Sequence, residues 1–266
     1  MRRGEIFWGA LLVILGSLFW LKAAGYLVGD VLGWFWPLCV IFAGIWILVG
    51  SRSSPRRGQP DASFSIPLQG AQEASLRIDH GVGRISLAAG ASSGDFLTGA
   101  RAVGMTQSVQ LSGRRLEVKI EAGPSFIPFL GPEGGVWQYQ LNSAIPTTID
   151  IHAGASRLDL DFTELQVTRF SFQGGASNLN LTLPARVDGT LVEVDAGAAS
   201  IELRVPEGVS LRLRHRSVGS LNVDESRFAR RDDGLYQSAD YDTGAHRADV
   251  TIGGGATSLR VVQEAK

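Results

Sequence analysis

Three stretches decide the reading of this chain: TIDIHAGASRLDLDF from Thr148, RFSFQGGASNLNLTL from Arg169 and LVEVDAGAASIELRV from Leu191. Each alternates apolar and polar residues, passes through a run of Gly, Ala and Ser, and alternates again. Alternation with period two puts every second side chain on one face of a strand. The small residues let the chain turn between the two strands. Looser copies are SLRIDHGVGRISL from Ser75, SLRLRHRSVGSLNV from Ser210 and DVTIGGGATSLRVV from Asp249.

The anchors of the first strands are Ile78, Ile151, Phe172, Val194, Leu213 and Ile252; those of the second are Ile85, Leu158, Leu179, Ile201, Leu221 and Leu259. The middle units recur after 21, 22 and 20 residues, counted along Leu158, Leu179, Ile201 and Leu221. A fixed period of this size predicts coils that stack and bury one continuous column. The sequence therefore predicts a parallel, single-stranded β-helix-like solenoid, most regular over residues 147–225, with an ordinary β-sandwich as the alternative. Stacked in chain order, Glu193 and Arg212 are expected to be vertical neighbours. Gln110–Glu121 reads as a hairpin around Ser112-Gly113, Val136–Leu141 as a strand, and Tyr236–Ile252 as further strands; such hairpins would cap the ends of the solenoid.

Ahead of the repeat lies a different composition. Ile6–Leu21 and Val31–Val49 are apolar runs separated by nine residues. A membrane span needs about 20 apolar residues. The expectation is a two-helix transmembrane hairpin within residues 1–50, with spans at about 5–21 and 31–49; for the first run the alternative is a cleavable signal peptide. Arg2 and Arg3 precede the runs and Arg52, Arg56 and Arg57 follow them, so both termini are expected in the cytoplasm. Residues 51–70 read as a basic Pro/Ser/Gly linker and 71–266 as the β domain. Residues 1–57 hold six basic and two acidic side chains, the remainder nineteen and twenty-four. That acidic balance argues against nucleic acid as a partner, because phosphate binding needs clustered Lys and Arg. Cys39 is the single cysteine, which excludes an intrachain disulfide.

Catalytic signals are weak. Asp159 and Asp161 share a strand face, as paired glycosidase carboxylates would, but alternation demands polar residues there regardless. His80, His152, His215 and His246 do not converge by spacing, and with no cysteine nearby they give no zinc set. No catalytic residue, metal ligand or cofactor site is expected. Pro124–Tyr139 is dense in large apolar residues for a loop. It is either a cap over the solenoid end or a partner contact carried by Phe126, Phe129, Trp137 and Tyr139.

The two apolar runs, with Gly16 in the first and Trp36-Pro37 opening the second, resemble the LiaI/LiaF-like transmembrane region of bacterial membrane proteins. The GASRLDL, GASNLNL and GAASIELRVPEG turns resemble the LiaF-like C-terminal domain and the related toast-rack β-solenoids. This resemblance implies a non-enzymatic regulator or scaffold in the response to cell-wall-active antibiotics. Its expected partners are the lipid bilayer and a membrane protein such as a sensor kinase, with a homo-oligomer as a further option. The runner-up is an extracytoplasmic solenoid that binds or processes cell-wall glycan.

Overall fold

The computed structural model describes residues 63–100, 105–122, 136–216, 218–232 and 234–264, together with Trp20, Lys22, Ala24 and Gly25. Both expected spans lie outside the described residues, apart from those isolated positions. No helix among the described residues is long and apolar enough to cross a membrane.

Fourteen strands make up the described domain: β1 (Ser63–Pro67), β2 (Glu73–Ala89), β3 (Asp95–Ala100), β4 (Met105–Ser112), β5 (Arg115–Ala122), β6 (Val136–Leu141), β7 (Thr147–Asp161), β8 (Val167–Thr182), β9 (Thr190–Val205), β10 (Val209–His215), β11 (Val218–Val223), β12 (Phe228–Asp232), β13 (Leu235–Ser238) and β14 (His246–Gln263). Each full repeat unit is one long strand that runs through its small-residue bend. β2, β7, β8, β9 and β14 lie side by side, all parallel. The all-β, parallel expectation is met. The sheet divides at both ends of this stack. The first half of β2 pairs with β5 and its second half with β6. The two halves of β14 pair with β10 and β11. Each coil thus supplies one strand to each of two walls.

The register follows the anchors. Ile78, Ile151, Phe172, Val194 and Ile252 are aligned from coil to coil, as are Ile85, Leu158, Leu179, Ile201 and Leu259. None of these ten is more than 2% exposed, and they form one core. Burying each such side chain contributes roughly 1.5–3 kcal/mol. Between the two anchors the bends are crowded: a Cβ on Gly154 would lie 2.8 Å from the Gly81 carbonyl oxygen, and one on Gly175 would lie 2.8 Å from that of Gly154. Backbones stacked this closely leave no room for a side chain.

The stacking order differs from chain order. The last unit, β14, lies between β9 and the pair β10–β11. β14 matches β9 from end to end of β9, from Ala248↔Thr190 to Gln263↔Val205. The fourth unit is broken at its bend, and its register on β14 is irregular between Val218 and Ser220. A unit that pairs over its full length gains more ladder bonds inside the stack than a broken one would. In that shifted register Leu213 faces Val250, and His215 takes the place opposite Ile252.

One hairpin falls where expected, around Ser112-Gly113; the other begins earlier than the Tyr236–Ile252 expectation, with a strand at Phe228–Asp232. β4 and β5 form one at the N-terminal end, and β12 and β13 another at the C-terminal end. Residues 63–67, expected within the linker, form β1, which pairs antiparallel with β3; the domain begins earlier than composition suggests, because SFSIP alternates like a strand.

Candidate functional site

The outward faces of the coils carry the polar columns available for chemistry. Ser86, Asp159, Asn180, Glu202, Arg260 and Asn222 align in that order across the stack. Asn180 Nδ2 donates to Asp159 Oδ1 at 2.7 Å, and Arg204 bonds Glu202 within its own strand. Asp161 accepts from the backbone N–H and the hydroxyl of Thr163, closing a turn. The two carboxylates suggested by a glycosidase pattern are therefore each engaged in a different local role.

The second column starts with a charge network. Arg77 reaches Asp79 at 3.2 Å and Asp150 at 3.6 Å, Lys119 reaches Asp79 and Glu121, and His152 lies 3.1 Å from Asp150. Its members are 28–47% exposed, where water screens such pairs strongly. Above them Ser108, Gln110 and Glu117 border an open depression of about 270 Å³ with Ser75, Arg77 and Lys119. An open hollow of this kind lacks the enclosing apolar walls of a small-molecule pocket.

The expected Glu193–Arg212 pair is not formed. β14 separates the two strands, and Glu193 pairs with Arg169 at 2.8 Å. Arg212 belongs to a cluster that the sequence did not disclose. Its guanidinium stands 4.0 Å from the centre of the Tyr241 ring and 3.7 Å from Asp249. The Tyr241 hydroxyl donates to Asp249 Oδ2 at 2.6 Å. Burial, then the Asp249 carboxylate, push the Tyr241 hydroxyl up to about 12. The same end of the molecule holds a two-pronged Arg247–Asp188 pair, which keeps the Asp188 carboxyl below its usual range.

The four histidines do not converge: His80 and His152 lie on neighbouring strands one register step apart, but His80 faces inward and His152 outward. His152 and His215 are separated by four strand steps, roughly 19 Å at the usual inter-strand spacing, more than chain order implied. Among the described residues no group of three His, Cys, Asp or Glu side chains is placed to hold a metal ion. His80 is buried with its ring 4.3 Å from that of Trp137, and burial holds its pKa below 6.5.

Of the aromatic segment, Phe126 and Phe129 lie outside the described residues, as do Arg2, Arg3, Arg52, Arg56 and Arg57. Trp137 and Tyr139 are each only 2% exposed. They point inward from β6, meeting each other edge-on at 6.1 Å, and Tyr139 also meets Phe64 at 6.3 Å. This corrects their assignment to a partner contact: the strand VWQYQL buries Trp137, Tyr139 and Leu141 and leaves Val136, Gln138 and Gln140 outside.

No curated protein matches this chain. A crystal structure of a protein from Clostridium sporogenes, provisionally assigned to cell adhesion, is similar in fold, with a TM-score of 0.69 and 16% identity, covering 76% of this chain and 98% of that one. The family described as the N-terminal domain of toast_rack, DUF2154, matches residues 54–204. That span includes β1 to β9 almost complete and exceeds half of the chain, so the protein belongs to the toast_rack N-terminal domain family.

Proposed function

We propose that this protein is a non-enzymatic, membrane-anchored regulator or scaffold of the bacterial envelope-stress response, working by contact with a membrane protein such as a sensor kinase. The observation that carries this reading is the state of the outward polar columns. Asp79, Asp150, Asp159, Asp161 and Glu193 are each tied to a neighbouring Arg, Lys, Asn or Thr side chain, so among the described residues these positions form a long, fixed face rather than an open acid–base pair. The LiaF-like character of the two apolar runs supplies the membrane and stress-response part of the proposal. A short tether would hold the face near the bilayer and raise its effective concentration towards other membrane proteins.

A second reading is favoured by one finding, the likeness in fold to a protein provisionally assigned to cell adhesion. In it the domain is extracytoplasmic and binds cell-wall glycan. Affinity purification of the full chain from membranes, combined with a reporter fused after Lys266, separates the two. A co-purifying membrane kinase and a cytoplasmic reporter signal support the first. An alkaline-phosphatase signal with retention on isolated cell wall contradicts it and supports the second.

A further inference from the structure

Among the described residues the two walls end in four edge strands: β4 and β12 close one wall, β1 and β11 the other. Exposed edges invite pairing with another chain, and proteins blunt them by shortness, charge, proline or bulges. Three of these edges are blunted. β12 is 5 residues long and carries Arg230, Arg231 and Asp232. β1 is 5 residues long and ends at Pro67. β11 begins with a register shift at Val218/Ser220 and leads into Asp224 and Glu225. The fourth is not: β4 is 8 residues long, reads MTQSVQLS without charge or proline, and pairs with β5 in unbroken register.

We propose that β4 is a homodimer interface, pairing antiparallel with β4 of a second copy about a two-fold axis at Ser108. The hairpin fixes which backbone groups are free. Ser112 and Arg115 close a two-residue turn whose Gly113 has φ 63°. The closing pair of such a turn is hydrogen-bonded, so bonded pairs alternate from it. Thr106, Ser108, Gln110 and Ser112 therefore spend their N–H and C=O on β5. Met105, Gln107, Val109 and Leu111 aim theirs at the open edge.

A two-fold axis normal to the sheet keeps the faces of both copies aligned, so odd residues must pair with odd. With Ser108 opposite its own copy, Met105 pairs with Leu111 and Gln107 with Val109, in both directions. This register makes four bonded pairs, about eight N–H···O bonds, and centring on Val109 makes about six. Its side chains match as well. Met105, Val109 and Leu111 lie on the face of β5's buried Leu116, Val118 and Ile120, and Val109 and Leu111 remain 37% and 41% exposed in one copy. Pairing the copies continues that face across the axis, with the uncharged Gln107 against Val109 and no charge opposite a like charge. A self-complementary strand of this kind is the signature of an isologous contact.

The test is sedimentation equilibrium of the full chain in detergent micelles over a range of concentrations. The expected result is a monomer–dimer equilibrium. Gln107→Pro, which deletes an outward N–H and leaves the β5 ladder intact, is expected to raise the dimer dissociation constant at least about tenfold. Its thermal melt is expected to remain within a few degrees of the parent. In a Cys39→Ser background, Ser108→Cys is expected to form a disulfide-linked dimer faster than Asn222→Cys on β11. A chain that stays monomeric at every concentration overturns the proposal and leaves the edge to a strand of another protein. So does a dimer that Gln107→Pro leaves unchanged, because association then runs through another part of the chain. Because none of these readouts involves the stress response, failure here is distinct from failure of the proposed function.

Discussion

Gly154 lies so close over Gly81 that a Cβ added to it would sit 2.8 Å from the Gly81 carbonyl oxygen, a backbone atom with no freedom to rotate away. The same approach recurs between Gly175 and Gly154 and between Gly255 and Gly197. Gly154→Ala is therefore expected to spread two coils and lower stability by about 2–3 kcal/mol, in the range of overpacked sites. Gly94→Ala meets no atom within 4 Å and is expected to change stability by less than about 0.5 kcal/mol. Urea unfolding of the two variants checks the contrast; equal losses would show that the bends are not the tight point of the stack.

Inside and outside positions on adjacent coils should respond very differently. Val194 is 2% exposed and packed in line with Phe172 and Ile252, so Val194→Asp buries an unpaired carboxylate and is expected to cost several kcal/mol. Asn180→Ala removes one partly buried bond to Asp159 and is expected to cost about 0.5–1.5 kcal/mol. Similar denaturation midpoints for these variants would contradict the assigned faces.

Acid sensitivity is expected from His80. Burial lowers its pKa in the folded protein below 6.5, so below that pH the unfolded chain takes up a proton that the native one resists. Stability at neutral pH is thus lost as pH falls from about 6.5 towards the folded pKa. The nearest charged groups, Asp79 on its own strand and Glu121, Lys119 and His152 on the strands beside it, lie on the opposite, outward face, and Trp137 covers its ring. His80→Leu is expected to flatten the fall in urea midpoint between pH 6.5 and 5. An unchanged slope in that variant would place the sensitivity elsewhere. The carboxyls with lowered pKa, Asp188 and Asp224, act below about pH 4 and leave this window clear.

Much of the fold was legible because alternation and the Gly/Ala bends are local signals. They placed all twelve anchors in their strands, and eleven of these are buried, with Leu221 partly so in the irregular β11. Stacking order was not local. Every unit presents the same period, so periodicity does not say which neighbours which. Chain order placed the Ser210 unit on β9, whereas the unbroken β14 takes that position and the broken unit ends the stack. The Glu193–Arg212 expectation failed with it. Trp137 and Tyr139 were misjudged for a different reason: aromatic density in the segment outweighed the strand alternation of VWQYQL, although that alternation turns both rings into the core. The Arg212–Tyr241–Asp249 cluster joins parts of the chain with no common motif, so no sequence signal pointed to it.

The central claim is that the β domain acts by contact while held at a membrane. The most direct measurement is the stress-response output of cells carrying either the full chain or a chain lacking residues 1–50, at matched amounts of folded domain. The account predicts output with the full chain and loss of output without residues 1–50, with the β domain still melting cooperatively. Full output from the untethered domain would contradict it.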